Sequence, residues 1–310
     1  MSNQTLFIYH QGCFDGHTAA WIYSRYVDAD AEFLPAKYGD PPPDVRGRDV
    51  IIADFSYKRH VMKGIIATAR STQVYDHHVT AREALDGIDE ELAHMDIGPA
   101  QRIVFDMERS GAGIVWDELV DKGVRAGHQC DDGVSSTFNR RPLLVDYVED
   151  RDLWRLALPH AREYMANVYA APMTFEAWDA LKSRPIGLMI ERGAAILEYM
   201  QEYGTKALAE ALPQRWDLRG EAIPPEPVWC VNLPYMNCSD YLTRLLADKN
   251  MFGDAPFVAG YFRRADGRWQ FSLRSRPDFD CSAVAKVFGG GGHRQAAGFD
   301  VAELSEVFAS

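Results

Sequence analysis

The triplet Asp76-His77-His78 follows the apolar run Thr72-Gln73-Val74-Tyr75. A strand that ends in one carboxylate and two imidazoles delivers three metal-binding or proton-handling groups to one edge of a sheet. In an open α/β sheet the carboxyl edge is where ligands bind. Two earlier apolar segments end in the same way. Leu6-Phe7-Ile8-Tyr9 runs into His10 and Asp15, and Val50-Ile51-Ile52-Ala53 runs into Asp54. His-His pairs also occur on ordinary surface turns, but three strand ends meeting on acids and imidazoles are hard to explain as packing.

Carboxylates and imidazoles without a thiolate cluster suit Mn²⁺ or Mg²⁺ better than structural zinc. Acids from separate strands are what a two-metal site needs, with one bridging both ions and the others holding each ion singly. Asp54, at the end of a central strand, is the best bridging candidate. A fourth acid is expected from Val145–Trp154, which offers Asp146, Glu149, Asp150 and Asp152. Asp146 and Glu149 read as a charged helix end paired with Arg151 and Arg155.

A second signal lies near the C-terminus, at Gly289-Gly290-Gly291-Gly292-His293-Arg294-Gln295-Ala296-Ala297-Gly298-Phe299. Glycines let a backbone approach an anion closely, and consecutive amides can form an anion-binding nest. His293 and Arg294 add donors there. The small residues that follow are expected to start a helix, whose N-terminus would favour phosphate further.

These residues need elements to position them. Leu6–His10, Asp49–Asp54 and Thr72–His77 read as strands, alternating with helices over His17–Val27 and Lys58–Ala69. Short, nearly continuous apolar strands suit a parallel sheet covered on both faces. Helices dominate from Ser110, which can cap one; Pro142–Trp154 has helical spacing, and Glu191–Leu212 is a long amphipathic connector. Beyond Pro213, Val228–Leu233 reads as a strand and Ser239–Lys249 as a helix. Phe257–Arg263 and Arg268–Arg274 bracket the turn Ala265-Asp266-Gly267 as a hairpin, and Ser282–Phe288 reads as a short helix. Half of the aromatic residues Tyr261, Phe262, Trp269 and Phe271 alternate into the core of that hairpin. The expected organisation is α/β, with residues 1–155 as a metal-binding catalytic domain, 156–215 as a helical connector and 216–310 as a smaller α/β substrate-binding domain.

The whole chain sets outer limits. Its 310 residues favour two domains, and no apolar run approaches a membrane span. The segment Leu6-Phe7-Ile8-Tyr9 is too short for a signal-peptide core, so a cytoplasmic protein is the simplest reading. Five cysteines (13, 130, 230, 238 and 281) make no Cys-x-x-Cys pair, which argues against a disulfide framework or zinc knuckle. All but Cys13, which lies in the first ligand loop, read as small buried hydrophobes. A net charge of −12 disfavours long nucleic acid, whose binding rests on phosphate neutralisation. Yet Tyr261–Phe299 holds seven Lys/Arg against three Asp, enough local positive charge for a small anionic substrate.

Taken together, these motifs resemble the DHH family of phosphoesterases, in the subgroup with the DHH-associated C-terminal domain. Asp76-His77-His78 follows a strand, Cys13-Phe14-Asp15-Gly16 stands where the family has Asp-x-Asp-Gly, and Gly290–Phe299 is close to Gly-Gly-Gly-His-x-x-Ala-Ala-Gly-Phe. The resemblance covers about residues 5–300, with a looser match in the helical middle. It implies a two-domain fold with the active-site cleft between the domains, and hydrolysis of phosphodiesters or phosphoanhydrides with two Mn²⁺, or with Mg²⁺ or Co²⁺. By motif, Asp15, Asp54 and His77 are implied metal ligands with Asp54 bridging, His78 faces the substrate phosphate, and Asp76 orients the histidine pair. Asp150, followed four residues later by Trp154, matches the fourth acid. Arg274, Ser275, Gly290, Gly291, Gly292, His293 and Arg294 are implied to hold the substrate.

Two departures concern the first metal. Cys13 replaces an Asp, and His10 stands three residues before it where the family His stands four before. A thiolate there would favour a softer ion, or leave that position to water, so metal choice at this site is open. The expected partner is a short oligonucleotide, dinucleotide or other small phosphorylated molecule, with no long duplex and no membrane, and with room for a homodimer. The leading expectation is a Mn²⁺-dependent phosphodiesterase acting on such substrates. The alternatives are a phosphoanhydride hydrolase acting on pyrophosphate or short polyphosphate, and a non-catalytic nucleotide sensor on the same scaffold.

Overall fold

A computed structural model describes residues 5–92, 101–122, 141–218, 227–233, 238–248 and 253–309. Lys249 and Cys130 lie outside the described residues. The chain divides into two compact units, Met1–Leu197 and Glu198–Ser310. The division falls inside the helix Ile186–Leu208. Among the described residues no helix is long and apolar enough to cross a membrane.

The first unit is built on five parallel strands: β1 (Thr5–His10), β2 (Glu32–Ala36), β3 (Asp49–Ala53), β4 (Ser71–Asp76) and β5 (Gln101–Phe105). Their order is β2-β1-β3-β4-β5, which puts β3 at the centre. The strand sequences are apolar at consecutive positions because both faces are covered. Leu6, Ile8, Val50, Ile52 and Val74 pack into one core with Phe55 and Ile65. Phe7, Ile51, Ala53 and Tyr75 face the other, with Trp21, Trp116 and Trp178. The register pairs Tyr9 with Ala53 and Ala53 with Tyr75. Three parallel strands therefore finish level, and the next residues along each (His10, Asp54, and Asp76 with His77) emerge at one edge.

The expected helices over 17–27 and 58–69 are Phe14–Tyr26 (α1) and Arg59–Thr68. Ser110 caps the helix Gly111–Val115, its Oγ accepting from the Gly113 amide at 3.2 Å. Helix α1 lies tight against β1, because a Cβ on Gly16 would come within 2.9 Å of the His10 backbone.

The second unit holds a mixed sheet in the order β10-β11-β9-β8-β7-β6. Its strands are β6 (Leu212–Gln214), β7 (Val228–Asn232), β8 (Phe257–Arg263), β9 (Trp269–Ser275), β10 (Gly291–His293) and β11 (Ala296–Val301). The expected β8–β9 hairpin is present. Phe271 is fully buried, with Tyr261 and Trp269 packed partly buried beside it. The helix Cys281–Val287 shares a core with Trp216, and Cys238–Ala247 packs in a separate core with Val258. Cys230, Cys238 and Cys281 are buried as expected.

The expected helix start at Ala296 is overturned. Gly291–His293 and Ala296–Val301 form an antiparallel hairpin pairing Gly291 with Gly298 and His293 with Ala296. Alternation decides it: Ala297, Phe299 and Val301 are buried, and Phe299 stacks on Phe271 with centroids 4.8 Å apart. The glycines serve this pairing. A Cβ on Gly290 would meet the Gly298 carbonyl oxygen at 2.1 Å and Phe299 Cβ at 2.5 Å, whereas one on Gly291 would meet nothing within 4 Å. Gly290→Ala should therefore destabilise the protein by about 1–3 kcal/mol through overpacking. Gly291→Ala should stay within about 0.5 kcal/mol of wild type, both read as urea unfolding midpoints.

Candidate metal centre

Asp54 lies just past the end of the central strand with φ 54°, a left-handed conformation that Asp tolerates better than most residues. The turn aims its carboxylate, 1% exposed, across the ends of β1 and β4. His77 Nε2 lies 3.2 Å from Asp54 Oδ1, and His10 Nδ1 lies 3.5 Å from Asp54 Oδ2. Asp15, on the first turn of α1, accepts from the Gly111 and Ala112 amides at 2.6 and 3.0 Å and lies 4.0 Å from His77 Nε2. This close approach requires glycine at 111, where a Cβ would sit 2.6 Å from Asp54 Cβ.

Asp76 faces the other way. Its Oδ1 accepts from the His77 and His78 amides at 2.7 and 3.1 Å and lies 2.7 Å from His78 Nδ1. Its Oδ2 accepts from Ser56 Oγ at 2.6 Å. Asp76 is thus saturated and fixes the two imidazoles rather than competing with them. When His78 Nδ1 donates to Asp76, the lone pair is left on Nε2.

Ligand atoms fall into two groups of three, each within 4.8 Å: His10, Asp54 and His78, and Asp15, Asp54 and His77. Asp54 belongs to both. His78, expected opposite the substrate phosphate, therefore also stands beside a donor set. Cys13 joins neither group. It is the N-cap residue of α1 and its side chain makes no capping bond. Burial pushes its thiol well above the usual range, helped by the charges of Asp54, Asp152 and Asp15, so it stays protonated among the carboxylates.

The acid of this helix that approaches the centre is not the one the motif pointed to. Asp150 turns back onto its own chain, accepting from the Ala157 and Leu158 amides at 2.9 and 3.3 Å. It is Asp152 whose Oδ2 lies 3.3 Å from His77 Nε2, with the side chain 25% exposed. The two acids are about 200° apart around the helix Leu143–Asp152, so one can face the centre only if the other does not. Asp152 is one of the four carboxylates of residues 145–154, but the spacing to Trp154 singles out Asp150. Asp150 holds the turn in which Trp154 and Leu156 adopt φ 56° and 49°.

Electrostatics single out the same place. Burial alone would lower the His77 pKa, but the Asp54 hydrogen bond and the charges of Asp152, Asp15 and Asp54 raise it to about 10. Burial, then the Asp54 and Asp152 charges, push Asp15 well above the usual carboxylate range, which the His77 charge and a hydrogen bond from Ser110 resist. Burial likewise raises Asp152. Asp54, despite burial, is held well below that range by His10, His77 and His78. Such a cluster draws in positive charge. Two of its buried atoms, His10 Nδ1 and Asp54 Oδ2, face each other with no hydrogen-bond partner. A hard divalent cation fits this oxygen and nitrogen donor set.

The expected substrate residues belong to the second unit. Ser275 is buried, its hydroxyl donating to the Phe279 carbonyl at 2.8 Å, so it braces a turn. Arg274 donates to Ser239 Oγ and to the Leu273 carbonyl. Gly290, Gly291 and Gly292 are half-buried, and His293 and Arg294 are exposed at the hairpin tip.

Comparison with known proteins agrees with the fold. Residues 241–309 match the DHHA1 domain. Uncharacterized protein R106 of Acanthamoeba polyphaga mimivirus is 28% identical over 94% of this chain. The chain spans 66% of that protein's length. An exopolyphosphatase-related protein of Bacteroides fragilis superposes with TM-score 0.50 at 12% identity, over 97% of this chain and 87% of its own. The pGpG-specific phosphodiesterase PggH of Vibrio cholerae gives a looser match, TM-score 0.40 at 15% identity, over 98% and 95% of the two chains. The α/β architecture with its parallel N-terminal sheet is shared with the Bacteroides protein, and the match to the DHHA1 domain lies in the second unit.

The different settings of the two helix-end acids predict opposite phenotypes. Asp150→Ala should cost about 1–3 kcal/mol of stability by stranding two amides. Asp152→Ala should not lower the unfolding midpoint in chelator, since it removes one of several like charges. It should instead weaken Mn²⁺ binding, read by calorimetry on the same samples.

Proposed function

Because this chain carries a DHHA1 domain and the Asp-His-His strand end of the DHH family, we propose that it is a divalent-metal-dependent phosphoesterase cleaving phosphodiester bonds in short oligonucleotides or dinucleotides. The observation that carries this reading is the pair of donor groups sharing Asp54. His10, Asp54 and His78 stand on one side, and Asp15, Asp54 and His77 with Asp152 on the other. Two such cations, Mn²⁺ by preference with Mg²⁺ or Co²⁺ as alternatives, would activate a water and neutralise the phosphoryl oxygens.

The chain's own residues supply positioning. Asp54 draws both donor groups onto one point, and Asp15 ties that point to the helix Gly111–Val115. Asp76 holds His78 in one orientation and favours its protonated form, whose second N–H can donate to a phosphoryl oxygen. Hydrolysis breaks one phosphorus–oxygen bond, joins the water oxygen to phosphorus and passes a proton to the departing hydroxyl. Little covalent chemistry is asked of the protein, and rate comes from placement and charge.

The Bacteroides protein's description as exopolyphosphatase-related favours a second reading, phosphoanhydride hydrolysis, and the same centre would serve it. A non-catalytic sensor has no need of two donor groups around a shared carboxylate.

Metal-stripped protein should cleave a linear diribonucleotide only after Mn²⁺ is returned, and Asp54→Ala should not recover. Cleavage of tripolyphosphate in place of the dinucleotide would move the assignment to anhydrides, and binding of nucleotide without turnover in any metal would favour the sensor. His78→Ala should lower kcat by at least about 100-fold while elemental analysis still finds metal, held by His10, Asp15, Asp54 and His77, which the variant leaves in place. Loss of the metal would make His78 a ligand instead.

A further inference from the structure

Strand β2 runs parallel to β1, and Ala36 pairs with His10. The chain leaving β2 therefore emerges at the edge that carries the metal centre. It turns at once: the Lys37 amide donates to Asp40 Oδ2 at 3.0 Å and the Asp40 amide to the Lys37 carbonyl at 3.1 Å. Gly39 takes φ 96° inside that turn, and three prolines follow from Pro41. Tyr38 is the side chain this stiff turn presents.

Its ring stands roughly perpendicular to His10 and His78, with centroids 5.5 and 6.5 Å away. Behind it lies Phe55, at 5.1 Å, itself fully buried and backed by Tyr57. An aromatic ring braced by three others would ordinarily be buried, yet Tyr38 is 55% exposed. Much of its surface is open to solvent beside two imidazoles of the centre.

We propose that Tyr38 is a specificity-determining residue whose ring stacks on a nucleobase borne next to the scissile phosphate. The proposal rests on the phosphodiesterase reading above and names the substrate's distinguishing part. An aromatic face is a sequence-tolerant partner for any base, because every base has a π-face. A polyphosphate has nothing to place on it. The braced turn means that little ordering is needed when the base arrives.

The test compares AMP with ribose 5-phosphate, which shares the sugar phosphate and lacks the base. Calorimetry would be run in Mn²⁺ on wild-type protein, Tyr38→Phe, Tyr38→Trp and Tyr38→Ala, since neither ligand carries a diester bond. Dinucleotide hydrolysis in Mn²⁺ would be run alongside. Wild type should bind AMP more tightly than ribose 5-phosphate. Tyr38→Ala should weaken AMP binding by about 5- to 100-fold with ribose 5-phosphate unchanged, while Tyr38→Phe and Tyr38→Trp stay within about threefold of wild type. In the hydrolysis assay the Ala variant should raise KM more than it lowers kcat. Equal losses for both ligands would make Tyr38 a mere brace for His10 and overturn the proposal, as would a wild type that does not discriminate. Loss in Tyr38→Phe as deep as in Tyr38→Ala would also overturn it, since the hydroxyl and not the ring would then matter. Failure of wild-type protein to cleave the dinucleotide despite base-dependent binding would count against the phosphodiesterase reading alone.

Discussion

One imidazole nitrogen, His77 Nε2, has the carboxylates of Asp15, Asp54 and Asp152 within 4.0 Å. Two unit charges 4 Å apart interact by about 4 kcal/mol at an effective dielectric near 20. Three acids packed this closely, two of them almost fully buried, cannot all stay ionised on their own. Something positive must sit among them, and without an ion the nearest candidate is a proton on His77. That is the physical meaning of its raised pKa. A cation there would displace that proton and free the imidazole to act as a neutral ligand. The surrounding architecture answers this single electrostatic demand.

It does so by making each acid structurally committed. Asp15 cannot turn away without releasing two helix amides, and Asp76 cannot without releasing two strand-end amides, a serine and an imidazole. Asp54 is fixed by its own backbone turn and by Gly111, whose missing Cβ lets the helix Gly111–Val115 press against it. The repulsion is therefore held in place by hydrogen bonds made elsewhere, which is how a fold keeps a charged site assembled between ligands. The same commitment explains why Asp150 sits outside the cluster. It stabilises the two left-handed residues of the turn beyond Asp152, keeping the helix end where Asp152 can reach His77.

Much of this was legible in the sequence because it follows from periodicity and from residue types at strand ends. Apolar runs over Leu6–Tyr9 and Val50–Ala53, with Val74-Tyr75 closing the third strand, pointed to a sheet covered on both faces, and their next residues had to share an edge. The edge strands were not legible. β2 contains Pro35, and β5 begins Gln101-Arg102 and is nowhere fully buried, so neither shows a core-strand pattern. The choice between Asp150 and Asp152 was also hidden. Two positions along a helix swap one face for the other, and no local signal says which face meets a sheet edge distant in sequence. The glycine run misled in a different way. Four glycines in a row read as a loop poised over an anion, whereas two of them are there because a neighbouring strand leaves no room for a Cβ. The alternation Ala297, Phe299, Val301 carried the correct answer.

Charge in the second unit bears on which anions that unit itself can bind. Seven Lys/Arg over Tyr261–Phe299 outnumber three Asp, but most are already engaged. Arg264 pairs with Asp266, Arg268 with Asp300, Arg276 donates to the Ala255 and Gly253 carbonyls, and Arg263 lies over Trp269. A cation spent inside the fold releases no counterions from a polyanion, so it adds little to affinity for long nucleic acid. Arg294, exposed at the hairpin tip, is placed differently, with Asp280 as an acid that senses its charge. An acidic protein whose positive charge is mostly satisfied internally can still hold one or two phosphates through a few local donors. That arithmetic is the physical ground for preferring a small phosphorylated substrate to a polymer. It also explains why specificity would have to come from a feature such as an exposed aromatic ring rather than from net charge.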